Sequence, residues 1–79
     1  MTTMRFFAAA RAAVGQDETR VDAATLDEAL RSVAAADPGR WTALQERCSY
    51  LVDGVTTRDR STPLVGVDTV DVMPPFAGG

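Results

Sequence analysis

A chain of 79 residues has material for one domain, and a domain of this size buries only roughly 60 % of the surface its unfolded form exposes, leaving little room for an enclosed substrate pocket. The apolar fraction of 46 % suits a folded globule, and no apolar stretch is long enough to span a bilayer. A net charge of −3, a single cysteine and no histidine or lysine argue against a nucleic-acid footprint, an internal disulfide, a His/Cys metal site, a histidine-dependent triad and any side-chain isopeptide or Schiff base.

Met1-Thr2-Thr3-Met4-Arg5 opens no signal-peptide pattern, so the expectation is a cytoplasmic protein with neither membrane nor nucleic acid as a partner. Met4-Arg5-Phe6-Phe7-Ala8 reads as a first strand, opened by aromatic residues. A turn around Gly15-Gln16-Asp17 and a strand over Thr19-Arg20-Val21 complete a hairpin, although the alanines from Ala8 to Ala13 would also accept helix by propensity. Thr25 stands three residues before Glu28, the spacing of a capping box, and Leu26, Ala29, Leu30, Val33 and Ala34 recur on one helical face. Asp37-Pro38-Gly39 stops that helix, and a short helical turn follows around Trp41, Ala43 and Leu44. Cys48 to Val52 reads as a strand closed by the turn dipeptide Asp53-Gly54. Arg58 to Pro63 is polar and looped. Thr69 to Met73 is the last strand, ended by Pro74-Pro75, since proline cannot donate to a strand ladder.

The order is strand, strand, helix, strand, short strand or loop, strand. It predicts an α+β fold of the ubiquitin-like β-grasp kind, with a mixed four- to five-stranded sheet covered by one main helix. Residues 1–73 form the β-grasp domain and residues 74–79 a C-terminal tail. Because side chains alternate across a strand, Met4, Phe6 and Ala8 with Val70 and Val72 are expected to face the helix, and Arg5 and Phe7 with Asp71 and Met73 to face out. Phe7 and Met73 then meet on the open face, with Phe76 just beyond, and three large apolar groups on so small a surface predict a partner. Cys48 offers a thiol, but a cysteine on the same strand face as Tyr50 and Val52 reads as a small buried hydrophobe rather than a nucleophile.

The tail is Pro74-Pro75-Phe76-Ala77-Gly78-Gly79. Two residues without Cβ make a thread thin enough for a narrow channel and leave a terminal carbonyl carbon unhindered. The two prolines stiffen its base and aim it away from the globule. This ending resembles the Pro-Pro-x-x-Gly-Gly terminus of the small subunit of molybdopterin synthase, within the β-grasp sulfur carrier family. Phe6-Phe7-Ala8 with Arg11 and Gly15, Val52-Asp53-Gly54, Pro63-Leu64 and Asp68-Thr69-Val70 resemble further segments of that family, so the likeness runs from Met4 to Gly79. Two positions depart from it. Val67 stands where the family usually has glycine, with Gly66 one position earlier, so the turn into the last strand is expected to differ in shape. Asp53 replaces the usual Asn, and both residues tolerate turns.

The resemblance implies a carrier with no bound cofactor. An activating enzyme of the ubiquitin-activating type uses ATP and magnesium to adenylate Gly79, and sulfide or a persulfide sulfur displaces AMP to leave a thiocarboxylate. The large subunit of molybdopterin synthase, or another sulfur acceptor enzyme, then takes the tail. Gly79 carries the reactive group and Gly78 gives it steric access. Phe76 and Ala77 line the mouth of the partner's channel, Pro74 and Pro75 aim the tail, Phe7 and Met73 dock the globule, and Arg11 is a solvated surface residue. The carrier itself is a non-catalytic subunit of a sulfur-transfer enzyme, and no metal site is expected. Related carriers serve cysteine, thiosugar and thiamin synthesis; the thiamin carriers usually lack Pro-Pro. A ubiquitin-like protein modifier and a plain interaction module with an incidental Gly-Gly are the alternatives from other functional classes.

Overall fold

The computed structural model describes residues 1–75 and resolves them into five strands and three helices. In chain order these are β1 (Thr2–Phe6), α1 (Ala8–Val14), β2 (Glu18–Val21), α2 (Leu26–Ser32), α3 (Pro38–Gln45), β3 (Ser49–Val52), β4 (Val55–Thr57) and β5 (Thr69–Met73). The sheet order is β2-β1-β5-β3-β4. β1 and β5 run parallel at its centre, and the other pairings are antiparallel. This is the mixed β-grasp sheet expected from the sequence. None of the described helices is long and apolar enough to cross a membrane.

The strand alternation falls as predicted. Met4 and Phe6, Tyr50 and Val52, and Val70 and Val72 are buried on the covered face, with Cys48 beside them. Leu26, Ala29 and Leu30 of α2 and Trp41 of α3 complete the core. Phe6 meets Trp41 edge-to-face at 5.6 Å between ring centroids, which fixes α3 against the centre of the sheet. Trp41 Nε1 donates to the Leu30 carbonyl at 3.3 Å and Tyr50 donates its hydroxyl proton to the Gln45 carbonyl at 2.8 Å. The polar tips of the two large aromatics are thereby satisfied inside the core.

The helical cover differs from the single main helix expected. α2 begins at the predicted capping box: Thr25 Oγ1 accepts from the Glu28 N–H, and Glu28 Oε2 accepts from the Ala24 N–H. It ends at Ser32, because Val33 is already extended, so Val33 and Ala34 do not extend its apolar face. The predicted strand end at Ala8 and the hairpin give way to α1. Six of its positions are alanine or valine, with one arginine, and alanine has the highest helix propensity. Ala8 takes φ 50 at the β1–α1 junction, a left-handed conformation that lets the chain turn sharply out of the sheet. Asp37 and Pro38 end no helix; they begin one, with Asp37 Oδ1 accepting from the Arg40 N–H and Pro38 in the first turn. Cover is shared among three short helices, with α1 and α3 packed on each other.

The sheet end where β5 begins is tied together by two turns. Val52 pairs with Val55, so Asp53 and Gly54 form a two-residue hairpin loop, and their φ values of 48 and 86 are those a type I′ turn needs. The Asp53 carboxylate accepts from the N–H of Asp68 at 3.0 Å and of Thr69 at 2.9 Å, both through Oδ1. The Val67 N–H donates to the Leu64 carbonyl at 3.0 Å, and Gly66 at the third position of that turn takes φ 76, as a type II turn requires. Gly66 thus supplies the left-handed residue, and Val67 packs partly against the core. The Thr2 hydroxyl donates to the Val67 carbonyl at 2.8 Å and the Thr3 N–H to the Asp68 carbonyl at 2.9 Å, which sets the parallel register of β1 on β5.

Candidate functional site

β5 carries the tail and is the best-anchored strand. It is paired along its length with β1 on one side and β3 on the other. Its last pairing joins Met73 to Ser49; beyond that, Pro74 is buried and Pro75 exposed. The chain therefore reaches the surface at Pro75, opposite the Asp53 turn and the start of β5. Phe76, Ala77, Gly78 and Gly79 lie outside the described residues.

The open face of the sheet carries the other docking residues. Phe6 pairs with Val72, so the register carried on by one residue sets Phe7 beside Met73; both are half-buried. Phe7 is on the open face, because the Arg5 guanidinium lies over its ring, 5.9 Å from the centroid. The sequence reading missed the group beside it. Arg5 and Asp71 pair across the two parallel strands, with Nε to Oδ1 at 2.6 Å and Nη2 to Oδ2 at 2.8 Å. This bidentate bond leaves the Asp71 side chain 15 % exposed and raises the Arg5 pKa above the usual arginine value. Alternation placed both residues on the open face; the β1–β5 register that sets them opposite each other involves residues far apart in the chain. Across the same row Arg5 also faces Glu18, and Asp71 faces Leu51. The face is therefore an apolar end, Phe7 and Met73 next to the tail, behind which lies an ion pair.

Cys48 is buried, 1 % exposed, and burial pushes its thiol up to about 11. Such a thiol is protonated and shielded at neutral pH, which suits packing rather than attack. Burial likewise raises Tyr50. Arg11 is exposed and 3.7 Å from Asp17, at the surface as expected. A hollow between α2 and α3 is lined among others by Asp27, Arg31, Trp41, Gln45, Glu46 and Arg60; Arg60 donates to Asp27 at 2.8 Å and to Gln45 at 3.0 Å.

What the fold presents is a rigid central strand that ends at an exposed proline, flanked by a small apolar surface. That arrangement can hold out a chain terminus to another enzyme. No curated protein matches the chain. A model of the ThiS family does match, over residues 4–79, from within β1 through the helical cover and the other strands to the Gly-Gly tail; with the β-grasp strand order, this shows that the chain belongs to the ThiS family of ubiquitin-like sulfur carriers, which work with an adenylating enzyme and a sulfur acceptor.

Proposed function

We propose that this carrier bears sulfur as a thiocarboxylate on Gly79 and delivers it in molybdopterin synthesis, as the small subunit of molybdopterin synthase. The observation that carries the reading is the union of one motif with one strand. Pro74-Pro75-Phe76-Ala77-Gly78-Gly79 follows directly from β5, whose pairing on both sides fixes the point of departure. A tail that leaves a rigid support can be threaded into a partner with little further ordering of the globule.

In the proposed reaction a Gly79 carboxylate oxygen attacks the α-phosphorus of magnesium-bound ATP on an activating enzyme of the ubiquitin-activating type. The acyl-adenylate forms and pyrophosphate leaves. Sulfide then attacks the carbonyl carbon, AMP leaves with the bonding electrons of its oxygen, and the thiocarboxylate remains. The acyl-adenylate is needed because a bare carboxylate is a poor electrophile. Gly78 leaves the carbonyl carbon open to attack, Phe76 and Ala77 contact the channel, and Pro74 and Pro75 aim the tail. Phe7 and Met73 supply the apolar contact that holds the carrier at the channel mouth. The large subunit of molybdopterin synthase is the proposed acceptor, and the proposed compartment is the cytoplasm.

Two alternatives use the same tail: a carrier for cysteine or thiosugar synthesis, and a ubiquitin-like modifier of target lysines. Complementation separates all three. The chain should restore molybdenum-enzyme activity to cells lacking their own small subunit, and deletion of Gly78 and Gly79 should abolish the rescue. Rescue of only another sulfur pathway, or recovery of the chain joined to cellular proteins without rescue, would overturn the assignment.

A further inference from the structure

Three arginines stand near the base of the tail in a chain whose net charge is −3. Ser49 pairs with Met73, so Arg47, in the turn two residues before β3, lies at the end of the sheet from which Pro74 and Pro75 leave. Thr57 pairs with Tyr50, which brings Arg58 to the same end of the sheet, where Arg58 Nη2 donates to the Glu46 carbonyl at 3.4 Å. Arg40 and Arg47 line one shallow hollow on α3 with Ala43, Leu44 and Glu46. None of Arg40, Arg47 and Arg58 has an acidic partner within ion-pair distance among the described residues; the four ion pairs use Arg5, Arg11, Arg31 and Arg60. The acids nearest them are Glu46, which shares the hollow, Asp37, whose carboxylate accepts from the Arg40 N–H at 3.2 Å, and Asp59, next to Arg58 in the chain. The acids at the opposite end, Asp22, Asp53 and Asp68, likewise form no ion pair there.

We infer that Arg47 and Arg58, with Arg40 behind them, dock against an acidic lip around the tail-accepting channel of the adenylating enzyme. The inference rests on the carrier reading above. A fully extended thread of four residues reaches about 14 Å at most. If Gly79 is to enter a partner's active site, the surface around Pro75 must come against that partner at the channel mouth. Arginines at that surface meet whatever rims the channel, and carboxylates are the groups that match a guanidinium in charge and shape. The remainder of the carrier is acidic, so the arginines also orient the approach: the tail end is drawn to an acidic rim while the Asp53 end is repelled.

The test is steady-state kinetics of carrier-dependent pyrophosphate release by the adenylating enzyme of the same organism, at low and raised ionic strength. Reversing both charges, R47E with R58E, should raise the KM for the carrier about tenfold at low salt, leave kcat unchanged and flatten the salt dependence of kcat/KM. R47Q with R58Q should give a smaller rise in the same sense, and provides the test if the reversed variant melts earlier than wild type. R20E, an equally unpaired arginine on β2 away from the tail, should stay within about twofold of wild type. Unchanged KM and salt slope in the double variants overturn the inference, as does an R20E effect equal to theirs, which would assign the response to net charge. A wild-type chain that the enzyme does not adenylate fails the carrier reading itself and this inference with it.

Discussion

The Asp53 clamp gives a prediction whose size can be worked from the structure. Asp53 Oδ1 accepts from two backbone N–H groups, those of Asp68 and Thr69, and joins the β3–β4 turn to the start of β5. Hydrogen bonds to a charged group contribute about 1.5–3 kcal/mol when sheltered. Both bonds here are exposed, so truncation to alanine should remove about 2 kcal/mol for the two together. Alanine must also adopt the φ of 48 that Asp53 holds, which adds about 1 kcal/mol, since aspartate tolerates that region better. The sum, about 3 kcal/mol, corresponds to a fall in Tm of about 12–24 °C for a domain of this length. Asp53→Asn keeps an Oδ1 placed to accept from the same two N–H groups and keeps the tolerance of positive φ. It should cost less than half as much. Thermal and urea unfolding followed by far-ultraviolet circular dichroism reads both variants, and because the clamp lies at the end of the sheet away from Pro75, sulfur loading of the folded Asp53→Ala protein should match wild type. An Asp53→Ala melting point within a few degrees of wild type, or Asp53→Asn as unstable as Asp53→Ala, would refute the account of this turn.

Cys48→Ser should destabilise the fold by about 1–3 kcal/mol, the cost of a hydroxyl buried without a partner, yet the folded protein should still accept sulfur at Gly79; complete loss of loading in a folded variant would restore Cys48 as a sulfur-bearing group. Burial pushes the Cys48 thiol from its ordinary value of 9.0 up to about 11, so its contribution is intact below pH 9 and is lost as pH climbs towards 11; the fall in Tm over that range should be shallower in Cys48→Ala, in which the buried Tyr50 still titrates. Hydrogen bonding from Arg60 holds the Asp27 carboxyl below its usual range, so its contribution is present above the unfolded value of 3.8 and lost as pH falls below it; the acid melting of Asp27→Asn should be correspondingly flatter than that of wild type. Phe7→Arg should leave the melting temperature within a few degrees and weaken binding to the adenylating enzyme about tenfold or more, measured by titration calorimetry, because aromatic anchors dominate interfaces; unchanged affinity would remove Phe7 from the docking surface.

The strands were legible wherever alternation was backed by a turn. β5 has the predicted bounds, and Asp53-Gly54 forms the predicted hairpin loop. The burial of Met4, Phe6, Val70 and Val72 followed from alternation alone. The segment from Ala8 to Val14 was ambiguous, because a short alanine-rich run satisfies either a strand continuing from Phe7 or a helix; helix prevailed once Ala8 turned the chain out of the sheet. Asp37-Pro38 carries both a stop and a start signal, and proline in a first helical turn is the start. The departure at Val67 resolves simply: Gly66 supplies the positive φ, and the turn closes one residue earlier than the family spacing suggested. The motif at the tail was wholly a matter of sequence. The Arg5–Asp71 bond and the gathering of Arg47 and Arg58 at the Met73 end of the sheet were not legible, because each depends on long-range strand register, which no local pattern encodes.

The central claim concerns one atom, and intact mass spectrometry reads it directly. The purified chain is incubated with the adenylating enzyme of its organism, magnesium-ATP and a sulfur donor, and then mapped by its C-terminal peptide. The account predicts that the peptide ending in Gly79 gains the difference between one sulfur and one oxygen, only with ATP present, and that a chain lacking Gly79 gains nothing. An unchanged mass, under conditions in which the same enzyme loads sulfur onto another carrier, would contradict it.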